Sequence, residues 1–285
     1  MNGECALEYT LRDIQLCELQ ILKDIKKVCD RHHIRYYLCG GTLLGAVRHK
    51  GFIPWDDDVD IQIPYDDYLR FLEVAQDELG PDYFVQTDET DPLYPLAYTH
   101  IRKNNTALMV EGDKHIRSHH GVWVDVFPMT CVRNRLDYRI KRAAVKMCYY
   151  LRVDEATFAL DRERYTAHSS AMTVGAISLV RRLPESFRAR WRRRTLDWIL
   201  RGKKGSYICY LWVKLSRLFP KEFYGKKPVL LQFEDDIYPA PGDYDRYLTL
   251  EYGDYMTPPP PEKRSGRHGM YAIVDLEHNW TDYCN

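Results

Sequence analysis

The chain has 285 residues, 45% of them hydrophobic, enough for a substantial core arranged as one large domain or two modest ones. Lys plus Arg equals Asp plus Glu at 41 each, so net charge gives no reason to expect a nucleic-acid partner, and any steering must come from local patches. Eight cysteines without a C-x-x-C pair, an N-terminus without an apolar run, and a longest apolar stretch (Ala171 to Val180) too short to span a bilayer argue for a soluble, reduced, cytoplasmic protein.

In chain order, Leu11, Ile14, Leu19, Leu22, Ile25 and Val28 recur at helical spacing and predict an amphipathic helix. Tyr36 to Cys39 reads as a short buried strand that ends in a turn at Gly40-Gly41. Asp58 to Ile63 alternates, which predicts a strand with Asp58, Asp60 and Gln62 on one face and Val59, Ile61 and Ile63 on the core face. Pro64 stops that strand, and Asp66 or Asp67 caps a helix running to Leu79 before Gly80-Pro81. Val122 to Phe127 alternates again and carries Asp125. From 133 to 223 the strand signal fades into helical spacing, which predicts a helical insertion between a core of 1–132 and 224–285. Residues 233–241 and 258–261 read as loops, with a short helix over 244–252 between them.

Two carboxylates alternating on a strand sit roughly 6 to 7 Å apart, close enough to share one divalent cation or to hold a pair. Their mutual repulsion calls for a counter-ion, and Mg²⁺ with phosphate suits such oxygens. A calcium loop starting at Asp56 fails, because its sixth position needs Gly and holds Ile61.

The constellation resembles the nucleotidyltransferase superfamily that includes DNA polymerase β, and more closely the LicD family of phosphocholine transferases with its fukutin-type catalytic domain. The blocks that carry the resemblance are GTLLGAVRHKGFIPWDDDVD (41–60), IRKNNT (101–106), HGVWVDVFP (120–128), FEDDIYPAPGDYDRY (233–247) and the stretch from Tyr252 to His268. They run in family order over most of the chain outside the insertion. Sixteen residues separate Gly41 from Asp58, the longer gap of the LicD pattern, so that Asp56 stays an alternative to Asp58.

The resemblance implies an α+β fold: a polymerase β-like core with a mixed sheet flanked by helices. It implies transfer of phosphocholine from CDP-choline to a glycan hydroxyl with release of CMP. Mg²⁺, or Mn²⁺ in its place, would be held by Asp58, Asp60 and Asp125, with Asp125 either a ligand or the base that takes the hydroxyl proton. Gly40, Gly41 and Thr42 would present N–H groups and a hydroxyl to donor phosphate, or form a plain tight turn. Arg48, Lys50, Arg102 and Lys103 are candidates for phosphate oxygens, and the C-terminal block adds Lys263, Arg264 and His268. His100 and His120 flank the same blocks, as substrate contacts or as structural hydrogen-bonders. Phe52, Trp55 and Trp123 are candidate faces for the quaternary ammonium of choline, or core packing.

Arg181 to Lys204 holds ten basic side chains against Glu185 and Asp197. With Trp191, Leu196, Trp198 and Ile199 interleaved, it reads as an interfacial helix meeting anionic lipid headgroups or a phosphorylated lipid-linked glycan at the inner face of a membrane, or as an ordinary solvated helix. Three functions compete: the phospho-alcohol transferase (phosphocholine, phosphoethanolamine, ribitol or glycerol phosphate), a true NTP-dependent nucleotidyltransferase, and a non-catalytic glycan- or nucleotide-binding module.

Overall fold

The structure, a computed structural model, describes residues 9–110, 116–152, 171–202, 205–209, 218–264 and 271–284. They fall into two compact units, one within 1–86, 98–128 and 221–285 and the other within 87–97 and 129–220. The architecture is α+β.

The first unit opens with α1 (Leu11–Arg31), where Thr10 and Asp13 form a capping box: the Asp13 N–H donates to Thr10 Oγ1, and the Thr10 N–H to Asp13 Oδ2 at 2.7 Å. Its apolar stripe is fully buried through Ile14, Ile21, Leu22 and Ile25, each contributing about 1.5–3 kcal/mol of hydrophobic stabilisation. β1 (Tyr37–Leu38) then leads into α2 (Gly40–Arg48), so Gly-Gly-Thr is the first turn of a helix and not a free-standing turn. β2 (Asp60–Pro64) passes directly into α3 (Tyr65–Leu79), which closes on Gly80 at φ +74°. Asp66 and Asp67 lie inside its first turn, while Pro64 holds the cap position without a side-chain bond.

β3 (Tyr83–Gln86), β4 (Thr99–Lys103) and β6 (Trp123–Val132) complete the main sheet, in the order β1-β2-β6-β4-β3. In the antiparallel β4–β6 pair His100 sits opposite Asp125 and Arg102 opposite Trp123. β5 (Ala107–Val110) pairs with β11 (Tyr271–Asp275). The segment read as a loop over 233–241 is instead half of a hairpin, β9 (Val229–Phe233) with β10 (Asp236–Ala240). Its acidic tip is held to α1: Glu234 takes both ends of Arg12, Asp235 pairs with Lys23 at 2.7 Å and Asp236 with Lys26 at 2.9 Å. The helix expected at 244–252 is α7 (Tyr244–Tyr252), capped by Asp243.

The second unit contains the end of β6, α4 (Arg135–Tyr150), α5 (Ala171–Arg181) and α6 (Glu185–Leu200). It also holds two short strands that helical spacing does not predict, β7 (Tyr207–Cys209) and β8 (Phe219–Pro220), paired on the end of β6. Val132, Val145, Ile199 and Cys209 form its core. Two cations are buried there with carbonyl partners that offset their desolvation. Lys141 donates to the carbonyls of Cys131 and Ile199, and Arg192 to Asp88 and the carbonyls of Pro95, Leu96 and Cys148.

Candidate active site

All of the site described here lies in the first unit. The strand expected from Asp58 begins only at Asp60, so Asp58 ends the loop that delivers the chain to the sheet. Val59, Ile61 and Ile63 are fully buried, as the alternation requires, and so is Gln62, which accepts from the Tyr224 hydroxyl at 3.1 Å. Asp56, Asp58 and Asp60 are half-buried, while Asp57 turns inward and is 2% exposed.

The two glycines of α2 serve as contact plates for carboxylates. A Cβ on Gly40, whose φ is +54°, would stand 2.6 Å from Asp60 Oδ2, and one on Gly41 would collide with Asp56 Oδ2. Only glycine permits both that backbone angle and that approach. Thr42 Oγ1, buried, accepts from the Asp60 N–H at 2.8 Å, and the Cys39 N–H donates to the Asp60 carbonyl at 3.2 Å. Gly40 and Thr42 therefore seat Asp60, and Gly41 seats Asp56, contacts that the sequence did not announce.

Asp125 comes alongside through its N–H, which donates to the Val59 carbonyl at 2.9 Å. Around the Cys39 thiol, burial and then the charges of Asp60, Asp125, Glu251 and Asp58 all push one way, well up from its ordinary value. Glu251, near the end of α7, is thus a fourth acidic side chain in this field, invisible as such in the sequence. For Tyr252 beside it, desolvation and the charges of Glu251, Asp60 and Asp56 hold the phenol well above its ordinary range.

Asp125 is backed by a chain of three buried groups. His100 Nε2 lies 2.7 Å from Asp125 Oδ1. Arg102 Nη2 lies 3.0 Å and Gln86 Oε1 3.2 Å from His100 Nδ1, so that nitrogen meets a donor and an acceptor while Nε2 faces the Asp125 carboxylate. Arg102 also donates through Nε to Gln86 Oε1 at 2.7 Å and through Nη1 to the Gly121 carbonyl at 2.8 Å, and its Cζ lies 4.5 Å from the Trp123 ring centroid. Arg102 is therefore engaged inside the sheet rather than offered to a phosphate. Lys103 is turned elsewhere as well, 5.7 Å from the Tyr83 ring centroid on the edge strand.

Arg48 and Arg264 feel each other's charge. Burial lowers the Arg48 value, and the charge of Arg264 lowers it further against the pull of Tyr252 and Asp56. Arg48 Nη1 donates to the Tyr255 carbonyl at 2.7 Å, and Arg264 lies over Trp55 at 5.0 Å. Lys263 is exposed on the 3-10 turn before Arg264, and Lys50, at φ +61°, is exposed on a loop whose carbonyl accepts from the Glu234 N–H at 2.8 Å. His268 lies outside the described residues. Each aromatic face considered for choline has an arginine of this chain over it: Arg264 over Trp55, Arg12 over Phe52 and Arg102 over Trp123.

The donor set suits a hard divalent cation, since its oxygens are carboxylates and Asp57 Oδ2 is buried without a hydrogen-bond partner. Among the described residues no three His, Cys, Asp or Glu side chains form a closed ligand group. A Mg²⁺ ion here would therefore complete its shell with water and donor phosphate, as this ion commonly does.

Glu18 of α1 stands behind the acidic loop, 1% exposed, with neither carboxylate oxygen hydrogen-bonded. Burial holds its carboxyl well above the usual range, reinforced by Asp58, Asp57, Cys17 and Asp56. A raised folded-state value gives stability that is complete below the unfolded pKa of about 4.3 and lost as pH rises through the folded one. Glu18→Gln keeps the shape without the charge, and in the metal-free protein it is expected to raise Tm by a few degrees at pH 8, with the gain shrinking towards pH 4. Thermal melts at the two pH values check this, and an equal gain at both would exclude charge as the cause.

The mixed α+β fold and the acidic site are consistent with what comparison with known families finds: residues 33–142 match the model described as LicD/FKTN/FKRP, nucleotidyltransferase domain. The resemblance to the LicD family is thereby shown. At the level of individual proteins, the chain is 29% identical over 275 residues to the lipopolysaccharide cholinephosphotransferase LicD of Haemophilus influenzae, covering 93% of this chain and 98% of that one. It is 44% identical over 68 residues to human ribitol 5-phosphate transferase FKRP, covering 22% of this chain and 14% of FKRP. An uncharacterized protein of Rickettsia typhi is 46% identical over 55 residues, 19% of this chain and 18% of its own length.

Proposed function

We propose that this protein is a phosphotransferase that moves phosphocholine from CDP-choline to a hydroxyl of a cell-surface glycan and releases CMP, on a polymerase β-like core. The reading is carried by the likeness, along 93% of the chain, to LicD of Haemophilus influenzae, a lipopolysaccharide cholinephosphotransferase. The acidic field around the Gly40–Thr42 turn supports it, because a diphosphate donor needs its charge neutralised before a hydroxyl approaches phosphorus in line with the leaving oxygen.

Asp58 and Asp60 would hold Mg²⁺ or Mn²⁺, with Asp125 a third ligand or the acceptor of the hydroxyl proton. Bound there, the ion would supply charge neutralisation and orientation of the two oxygens. Arg48 and Arg264 would meet the donor phosphates from the opposite sign of charge. The acceptor oxygen bonds to the phosphorus that bears choline, the bond from that phosphorus to the CMP oxygen breaks, and the acceptor proton leaves through Asp125. His100 would act as a positioning residue, holding the Asp125 carboxylate while Arg102 orients its ring.

The match to FKRP favours a second reading, in which the transferred group is ribitol phosphate. A panel of CDP-choline, CDP-ethanolamine, CDP-ribitol, CDP-glycerol and CTP, each with Mg²⁺ or Mn²⁺, decides between them. CMP released from CDP-choline is the expected result. Turnover of CDP-ribitol alone would move the assignment to the second reading, and pyrophosphate from CTP would replace both with nucleotidyl transfer. Binding of CDP-choline without turnover would leave a non-catalytic module.

A further inference from the structure

Helix α6 in the second unit presents large aromatic side chains to solvent. Phe187, Trp191 and Trp198 are 54%, 38% and 53% exposed. At 3.6 residues per turn, these positions fall within one narrow stripe, and Arg192, Leu196 and Ile199, all buried, fall on the opposite side of the helix. The helix has thus already satisfied its core with one face and carries a second apolar stripe outward. Of the apolar residues read in the sequence as interfacial, Leu196 and Ile199 belong to the core, while Trp191 and Trp198 remain and Phe187 joins them.

The charge beside the stripe has one sign. Arg190 and Arg194 lie along its edge and are exposed, and Arg201, just past the helix end, continues the row two turns on. The nearby acid Asp197 is taken by Arg201, and Arg193 reaches Glu89 at 3.5 Å. Helix α4, which packs against α6, repeats the pattern: Leu136 and Ile140 are 66% and 50% exposed, flanked by exposed Arg135 and Arg139.

We propose that the outward face of α6 is a docking surface for an anionic lipid bilayer. Aromatic rings that sit at headgroup depth, edged by arginines that reach lipid phosphates, are the chemistry of a helix lying in the interface plane. Each basic side chain near such a surface adds to the attraction, which salt screens. Spanning is not at issue, since among the described residues no helix is long and apolar enough to cross a membrane. A protein partner would have to match a row of arginines with its own acids, whereas an anionic lipid surface supplies that charge as a continuum.

The test uses the full chain with extruded vesicles of phosphatidylglycerol and phosphatidylcholine, or of phosphatidylcholine alone. Co-sedimentation with the anionic vesicles, a blue shift of tryptophan emission, and release at about 0.5 M salt are expected, the Debye length there being well under 10 Å. Trp191→Ser with Trp198→Ser is expected to weaken vesicle binding at least tenfold with an unchanged melting temperature, because both rings are exposed. Arg190→Glu with Arg194→Glu is expected to remove the preference for the anionic lipid. Several results would overturn the proposal: no sedimentation with anionic vesicles, equal binding to phosphatidylcholine, or full binding by the tryptophan variant. A dimer in analytical ultracentrifugation that the tryptophan variant dissolves would assign the face to a second copy instead. None of these outcomes depends on turnover, so the donor panel and the vesicle assay can fail separately.

Discussion

Asp60→Ala is expected to lose metal-dependent CMP release by about 10²–10³-fold or more, the scale seen when one preorganised charge-stabilising group is removed from an active site. Asp60 carries this effect because the local structure is built around it: Thr42 accepts its N–H, Cys39 donates to its carbonyl, and Gly40 makes room for its carboxylate. The side chain itself is only half-buried, so its removal leaves a small gap beside Gly40 and a melting temperature within a few degrees of wild type. Release measured with saturating Mg²⁺, alongside a thermal melt, separates chemistry from folding. Near wild-type release from a folded Asp60→Ala variant would remove the carboxylates from the centre of the mechanism. Asp58→Ala and Asp125→Asn are expected to follow the same pattern.

His100→Ala is expected to lower turnover about 10- to 100-fold and to raise the Mg²⁺ concentration needed for half-maximal rate, the usual consequence of losing a group that orients a ligand. The ring stands opposite Asp125 in the β4–β6 pair and is fixed from behind by Arg102. His100→Gln places an amide N–H near the position of Nε2 and is expected to recover part of the rate and most of the metal affinity. A purely structural role predicts otherwise: both variants would lose stability, and the folded fraction of each would turn over and bind Mg²⁺ as wild type does. Mg²⁺ titrations of CMP release on the two variants distinguish these outcomes.

The outline of the first unit was legible because its elements announce themselves locally. The helical recurrence from Leu11, the alternation from Asp58, Gly80 after Leu79 and the short helix from Tyr244 each appear within a few residues of their observed bounds. Where the reading slipped, a local signal was ambiguous. Gly-Gly-Thr has turn composition but opens a helix, since the first turn of a helix has no carbonyl to answer and tolerates glycine when a carboxylate must come close. The run Phe233 to Ala240 has the acids and prolines of a loop yet pairs as a hairpin, because its acids find Arg12, Lys23 and Lys26 on α1.

The cations show the limit most clearly. Arg48, Lys50, Arg102 and Lys103 were alike as candidates, yet Arg102 is locked to His100 and Gln86, Lys103 lies 5.7 Å from the Tyr83 ring centroid, and Arg48 feels the charges of Arg264 and Asp56. In the second unit Arg192 and Arg194 are two residues apart in the same basic run, and one is buried on Asp88 while the other faces water.

By itself the amino-acid sequence determined the secondary-structure periods and the family resemblance, and it put forward Asp58, Asp60 and Asp125 as candidates, because periodicity and motif are properties of neighbouring residues. Tertiary structure alone decided that Thr42 holds Asp60, that His100 backs Asp125, that Glu18 and Glu251 join the acidic field, and that Phe187, Trp191 and Trp198 face outward. These depend on which elements pack together, and a long charged or aromatic side chain takes its role from whatever the fold brings within a few ångströms of its tip.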